Sequence, residues 1–180
     1  LLLEQFQNSG GAYIPIRGLG VDSGHLTQQV YLWCRRHPPT RVYAMDGRKT
    51  IPAPVGQPKL IDINYAGKRQ KRGIRLWPVG TDLLKAELYS YLKMEKPIDV
   101  NVPYPQGYLH FPEYPKEYFL MLTAEQQVVK IVKGYPTHQW VRIRDRNEAI
   151  DCRNYARAVA AIFGIDRYND HHWNQLDPGG

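Results

Sequence analysis

The spacing of apolar residues along the chain predicts four helices. Apolar side chains recur every three or four positions over 26–36, 82–94, 123–133 and the segment after Asn147, as on the buried side of a helix. In the first helix this side carries Leu26, Val30, Trp33, Cys34 and His37. Thr81 suits the N-cap of the second helix, and Thr123 with Gln126 forms a capping box for the third, which Gly134 would end.

Short apolar runs between these helices predict strands at 12–21, 41–45, 74–79, 108–111 and 138–144. The first strand, the first helix and the second strand have the length of a parallel βαβ unit, with Asp22 at the end of the first strand. A β-rich segment, rich in Gly, Pro, Lys and Arg near its start, follows over about 47–115. The fold class is therefore α/β, a mixed sheet flanked by helices.

The last helix carries two acids where apolar residues are expected. Its predicted apolar stripe consists of Ala149, Cys152, Tyr155, Ala156, Val159, Ile162 and Phe163, with Arg153, Asn154 and Arg157 opposite. Glu148 falls inside the stripe and Asp151 on its edge. Glu148 also fits a first-turn acid that is favoured by the helix dipole, and Asp151 also fits a partner of a nearby base such as Arg153.

Asp22 is the second candidate site residue. A strand that ends at an acid presents its carboxylate at the carboxyl edge of a parallel sheet, where ligands of such sheets gather. Gly18, Gly20 and Gly24 would allow a ligand to approach. Converging carboxylates favour a divalent cation such as Mg²⁺ or Mn²⁺. Asp22 also fits a turn residue, and Asp46, in an Asp-Gly pair, fits a turn better than a ligand.

Charge and composition narrow the functional classes. The 180 residues carry 24 Lys and Arg against 17 acids, a net charge of +7 that suits a polyanionic partner. A basic run could contact phosphates or form a solvated loop; it consists of Lys68, Arg69, Lys71, Arg72 and Arg75. The two cysteines, Cys34 and Cys152, are predicted to be buried and reduced. The sequence lacks a P-loop, a Gly-x-Ser-x-Gly elbow, zinc spacing and a membrane-length apolar run.

Several motifs together resemble one family. The chain contains, in order, GVDSGHLTQQVYLWCRRH, RVYAMDGR, PVGTDLLKAELYSYL, GYLHFPEYPKEYFLMLTAEQQV and RNEAIDCRNYARAV. Their order and spacing are similar to those of the nuclease domain in the GpA family of phage terminase large subunits, from about Gly11 to Trp173. Three motifs are specific in combination: VDSG, HFP followed by LTAE, and RNEAIDC.

The resemblance implies an RNase H-like endonuclease that cuts concatemeric double-stranded DNA with two metal ions, Mg²⁺ or Mn²⁺. It implies that Asp22 is the acid of the fourth strand and Asp151 that of the last helix. In such a protein an N-terminal ATPase domain drives packaging, within an oligomeric motor that works with the terminase small subunit and the portal protein in the host cytoplasm. On this basis residues 1–165 are expected to form the nuclease domain and 166–180 a surface tail.

The sequence departs from this family at two places. The first strands of the domain, with the first-strand acid, are expected upstream of Leu1, and Asp46 stands where the family often has Lys. Asp46 and Glu148 therefore remain candidate further ligands. The alternative function is a DNA-gripping or portal-docking module whose nuclease site is incomplete. A third class, another RNase H-like enzyme such as a resolvase or transposase, is disfavoured by the HFP…LTAE segment.

Overall fold

The computed structural model describes residues 2–8 and 10–176, in two compact units. The first unit contains residues 1–80 and 155–180, and the second contains residues 81–154. Among the described residues, no helix is long and apolar enough to span a membrane.

The first unit is organised around a mixed sheet. Within its described part, the sheet has four strands in the order β3 (Leu19–Asp22), β4 (Val42–Arg48), β6 (Lys68–Gly80), β5 (Lys59–Tyr65). The strand β3 pairs parallel with β4, β4 pairs parallel with β6, and β5 is antiparallel to β6. A separate antiparallel pair, β1 (Gln5–Gln7) with β2 (Tyr13–Pro15), precedes this sheet. The predicted mixed α/β class is confirmed, and part of the β-rich segment after residue 47 supplies two strands of the sheet itself.

The strand bounds correct two predictions. The strands are β1 Gln5–Gln7, β2 Tyr13–Pro15, β3 Leu19–Asp22, β4 Val42–Arg48, β5 Lys59–Tyr65 and β6 Lys68–Gly80. The single strand predicted at 12–21 is wrong, because Pro15 lacks the N–H that a continuing ladder needs and the chain restarts at Leu19. The turn predicted at Asp46–Gly47 is also wrong. Both residues pair with β6, opposite Pro78 and Val79.

One face of the sheet is covered by helix α1, Thr27–Cys34. Tyr31 and Cys34 pack there with Val42, Ala44 and Ile63. The predicted helix is confirmed, but Leu26 and Trp33 are substantially exposed and Tyr31 is buried in their place. Burial raises the pKa of Cys34 to about 11, so this thiol is inert at neutral pH.

The other face packs against the end of helix α4, Glu148–Phe163. Ring contacts join Tyr43 on β4 to Phe163 on the helix. A Cβ added at Gly18 would lie 2.6 Å from both Val159 and Phe163, and one at Gly20 would lie 2.7 Å from the Met45 sulfur. These two glycines were expected to admit a ligand. They admit closely packed side chains instead.

The second unit contains helices α2, Thr81–Leu92, and α3, Lys116–Leu122, and the hairpin of β7, Glu125–Val132, with β8, Tyr135–Arg142. Leu88, Leu122 and Ile150 form its apolar core with Ala149. Leu84 and Leu88 on α2 are fully buried. The strand predicted at 108–111 is irregular chain.

The helix predicted at 123–133 is wrong. This segment forms strand β7, and residues 133–134 form the turn to β8, with positive φ at both Lys133 and Gly134. Two successive residues with positive φ give the tight turn that joins antiparallel strands. The β-branched run Val128–Val132 fits a strand better than the helical capping signals before it.

Helix α4 is confirmed, but it is rotated relative to the predicted stripe. Ile150 and Asn154 are buried, whereas Glu148 and Cys152 are exposed. The residues after α4 include a 3-10 turn at Ile165–Arg167 and helix α5, Asp170–Leu176. Residues 177–180 of the predicted tail lie outside the described residues.

The close packing at the two β3 glycines predicts a stability defect. Gly18→Ala or Gly20→Ala should lower the free energy of unfolding by about 1–3 kcal/mol, because the added methyl group would overlap Val159, Phe163 or Met45. Denaturant unfolding followed by fluorescence measures the change. Gly24→Ala is the control, because the nearest atom is a flexible carboxylate oxygen of Asp22 at 3.3 Å. Equal stability of all three variants would contradict the packing argument.

Candidate active site

Asp22 ends β3 at the carboxyl edge of the parallel strands. Ser23, the next residue, anchors this end of the strand. Its hydroxyl is buried and donates a 2.7 Å hydrogen bond to the Met45 carbonyl. The Asp22 Oδ1 atom accepts a 2.9 Å hydrogen bond from the backbone N–H of Gly24. This hydrogen bond matches the turn role that the sequence allowed for Asp22. It orients the carboxylate and brings no opposite charge to it. Asp22 thus offers an exposed, oriented oxygen ligand.

Asp46 does not converge with Asp22. Asp22 pairs with Met45, so these two side chains share one face of the sheet. Successive side chains of a strand alternate between faces, which directs Asp46 to the other face. There it forms a 2.5 Å ion pair with Arg48. Asp46 is therefore placed away from the Asp22 carboxylate and is partly neutralised.

Asp151 belongs to a polar network in the second unit. The Asn147 amide donates one hydrogen bond of 3.0 Å to Asp151 Oδ2 and one of 3.2 Å to Glu125 Oε1. Glu125 is buried and forms a 2.6 Å ion pair with the Lys85 ammonium. A buried carboxylate is tolerated when it is paired and hydrogen-bonded in this way. The network gives Asn147 a fixed position from which it holds Asp151.

Glu125 was missed by the sequence analysis. The capping signals at Thr123 and Gln126 placed it in a helix, whereas it begins β7 and is the only buried residue of that strand. Tyr89 donates a hydrogen bond to the Glu125 backbone carbonyl, and burial raises the pKa of Tyr89. The signal that could have found Glu125 is an acid next to the apolar run of a strand, within reach of a lysine on another element.

Glu148 lies outside the buried network. It is exposed in the first turn of α4 and lies 3.4 Å from Arg146, as expected for an acid that compensates the helix dipole. Its negative charge still affects the neighbouring Cys152 thiol. Partial desolvation, and then the negative charges of Asp151 and Glu148, raise the pKa of the Cys152 thiol. The pKa of Cys152 therefore depends on the negative charge on this side of the helix.

Among the described residues, no group of three or more His, Cys, Asp or Glu side chains is arranged to hold a metal ion. The oxygen donors of Asp22 and Asp151 have the chemistry that Mg²⁺ and Mn²⁺ prefer, but within the described part of each unit they do not form a complete ligand set. His110 packs against the rings of Tyr104 and Tyr108.

The basic run lies on the β5–β6 hairpin, whose turn contains residues 66 and 67. Three residues of β6, Lys71–Gly73, stand opposite the single residue Asp62 of β5. The Asp62 carboxylate accepts hydrogen bonds from the Arg72 backbone N–H at 2.8 Å and from the Arg69 guanidinium at 2.8 Å. These bonds, the first of them the strongest influence, lower the pKa of Asp62. The run forms a hairpin with a defined bulge.

The tip of this hairpin is far from the edge that carries Asp22. Asp22 lies level with Met45 and Trp77 in the ladder. Trp77 is one step beyond Leu76, which pairs with Lys59, and Tyr65 pairs with Lys68 at the tip. Seven residue steps of about 3.3 Å, or about 23 Å, therefore separate the two levels. The tip cannot contact the same phosphate as Asp22.

Comparisons with known proteins agree with the motifs. The family model for the endonuclease domain of the terminase large subunit gpA matches residues 1–173. The chain is 32% identical over 164 residues to the terminase large subunit of Escherichia phage lambda, and 29% identical over 165 residues to that of Enterobacteria phage P21. Each alignment covers 88% of this chain and 24% of the relative, so the chain spans about a quarter of their length. No solved structure matches it. The chain belongs to the endonuclease-domain family of the terminase large subunit gpA.

Proposed function

We propose that this chain is a DNA endonuclease domain that cuts concatemeric double-stranded DNA during phage genome packaging. The observation that carries the proposal is the family match over residues 1–173, which includes both the VDSG and the RNEAIDC motifs. Asp22 and Asp151 are the proposed catalytic carboxylates. The RNase H-like character of the sheet belongs to the same proposal, and so does the cytoplasm of the host as the place of action.

The proposed cofactor is a pair of Mg²⁺ or Mn²⁺ ions held by Asp22 and Asp151. When bound, such ions supply Lewis acidity at a phosphodiester and lower the pKa of water. The chain itself contributes orientation. Gly24 holds the Asp22 carboxylate through its backbone N–H, and Asn147 holds that of Asp151 through its side-chain amide. Asp46 and Glu148 are weaker ligand candidates, because each has a basic neighbour, Arg48 and Arg146 respectively.

A second candidate function is a DNA-gripping or portal-docking module. The observation that favours it is the incomplete metal-ligand set among the described residues, together with a basic hairpin tip about 23 Å from the Asp22 level. Under either proposal the partners would be double-stranded DNA, the terminase small subunit, the portal protein and further copies of the full-length motor protein.

Asp151→Asn should abolish Mn²⁺-dependent nicking of plasmid DNA by the full-length protein, because it removes a proposed ligand charge. Asp22→Asn should do the same. Asp46→Asn and Glu148→Gln are matched controls and should retain most activity, since each of these acids is placed beside a base. Nicking is measured on supercoiled plasmid. Full activity of Asp151→Asn would contradict the nuclease assignment. A wild-type protein that binds DNA but does not nick it would favour the DNA-gripping module.

Metal binding at Asp151 has a readout besides activity. Mn²⁺ should accelerate alkylation of Cys152 at fixed pH, because a cation that neutralises the nearby carboxylates favours the thiolate. Cys34 is buried and its pKa is about 11, so it should not react. The acceleration should vanish in Asp151→Asn. An equal effect of Mn²⁺ in that variant would place the cation elsewhere.

Asn147→Ala should lower kcat for nicking more than it changes KM for DNA, because Asp151 would lose the donor that orients it. The variant also leaves a buried Glu125 oxygen without that bond, which should cost about 1–3 kcal/mol of stability. Asn147→Ser retains a donor and should recover part of the activity. Steady-state kinetics at a temperature where both variants are folded decides the role. Loss of stability with kcat unchanged would make Asn147 purely structural.

Changing Lys68, Arg69, Lys71 and Arg72 together to Ala should weaken binding to all DNA sequences about equally. The slope of log K against log salt concentration should flatten by roughly 0.9 for each lost phosphate contact. Fluorescence anisotropy with two unrelated duplexes over a salt series measures it. An unchanged slope would mean that the hairpin is a solvated surface.

A further inference from the structure

A cavity of about 270 Å³ opens where the end of α1 meets the bulged part of β6. The charged residues that line it are all basic: Arg35, Arg72 and Arg75, with His37 beside them. No acid is among the described residues that line it. Sequence reasoning placed Arg72 and Arg75 in a linear basic run and His37 on the apolar side of the first helix, but it gave no role to Arg35.

Two arginines of this cavity, Arg35 and Arg72, are held by hydrogen bonds. Arg35 donates a hydrogen bond to the Gln70 side chain, which ties the end of α1 to β6. Arg72 has a left-handed backbone, with φ at +51°, a conformation that is unfavourable for a residue with a long side chain. The Asp62 carboxylate holds it there through the 2.8 Å bond to its N–H. Strained backbone that neighbouring groups enforce is concentrated at functional positions.

The bulge is also fixed from its other side. A Cβ added at Gly73 would lie 2.4 Å from Ile63, so β6 can pass the buried Ile63 side chain only with glycine at this position. Gly73 and Asp62 therefore determine together where the Arg72 guanidinium emerges. A bulge of this kind re-aims a side chain that a regular strand would direct elsewhere.

We propose that Arg35, Arg72 and Arg75 form a binding site for one phosphate of the duplex DNA backbone, separate from the edge that carries Asp22. The inference rests on the proposed function, in that it takes DNA as the substrate. Guanidinium groups bind phosphate oxygens through paired, charge-assisted hydrogen bonds, and three arginines line this cavity without an acid among the described lining residues. Two of them, Arg72 and Arg75, also belong to the basic run on β6, which suits a continuous polyanion better than an isolated anion.

The first test compares two adjacent arginines in the full-length protein. Arg35→Ala should weaken binding of a duplex about tenfold at moderate salt, and Arg75→Ala should act similarly, since each loses a charge-assisted phosphate contact. Arg36→Ala is the matched control. It removes the same charge one residue away, but Arg36 lines a different cavity. Anisotropy with a labelled duplex gives the affinities. Equal effects of Arg35→Ala and Arg36→Ala would overturn the site and leave only general surface charge.

The second test separates preorganisation from net charge. Asp62→Ala removes a negative charge next to the hairpin, so simple electrostatics predicts tighter DNA binding. The proposal predicts binding about fivefold weaker, because Arg72 loses the acceptor that fixes its backbone. Arg72→Gly covers the case in which Asp62→Ala does not fold, because glycine adopts positive φ without strain and lacks the guanidinium. It should remain folded and bind DNA more weakly. Tighter binding by Asp62→Ala, or wild-type binding by Arg72→Gly, would refute the proposal.

A competition experiment identifies the source of the phosphate. Inorganic phosphate, at constant ionic strength, should displace the duplex from the wild type more effectively than from Arg35→Ala. ATP should compete no better than expected for its charge. Arg35-dependent ATP binding that excludes the duplex would assign the cavity to a nucleotide and overturn the DNA proposal. In each case the outcome is independent of Asp151→Asn, which tests the cutting activity alone.

Discussion

The register between β3 and β4 determines which carboxylates of the first unit can act together. Asp22 pairs with Met45, and this pairing is reinforced by the buried Ser23 hydroxyl on the Met45 carbonyl. Because side chains alternate along a strand, a shift by one residue would bring Asp46 to the face of Asp22 and expose Met45. Met45 is fully buried, so the apolar packing of this face fixes the register. The positions of Asp22 and Asp46 therefore follow from the packing of the apolar core.

In the second unit a buried charge pair has the same organising role. Lys85 and Glu125 are on different elements, α2 and β7, and each would be costly to bury alone. Their pairing leaves one Glu125 oxygen to accept the Asn147 amide, and the same amide reaches Asp151. Orientation of Asp151 therefore depends on a lysine two steps away in the network. The dependence explains why residues outside the acidic motif can matter for the proposed activity.

The sequence predicted those features that depend on local periodicity. Helices α1, α2 and α4, the α/β class and the end of β3 at Asp22 followed from spacing and turn residues. It failed where tertiary packing overrides a local signal. The capping pattern at Thr123 was stronger than the strand pattern after it, yet the chain forms β7 there. Likewise, the face of α4 could not be found from hydrophobicity, because the buried Asn154 is polar and the exposed Cys152 is not.

The net charge of the chain does not show how its charges are distributed along the sheet. The net charge of +7 is an average over a chain whose basic hairpin tip and Asp22 are about 23 Å apart along the strands. That separation exceeds the Debye length of about 8 Å at physiological ionic strength. Cations at the tip therefore attract a polyanion without neutralising Asp22, whereas Arg48 does pair with Asp46. If Asp22 holds a cation as proposed, it needs distance from the cations of the hairpin tip, and the length of β6 between Lys68 and Trp77 provides that distance.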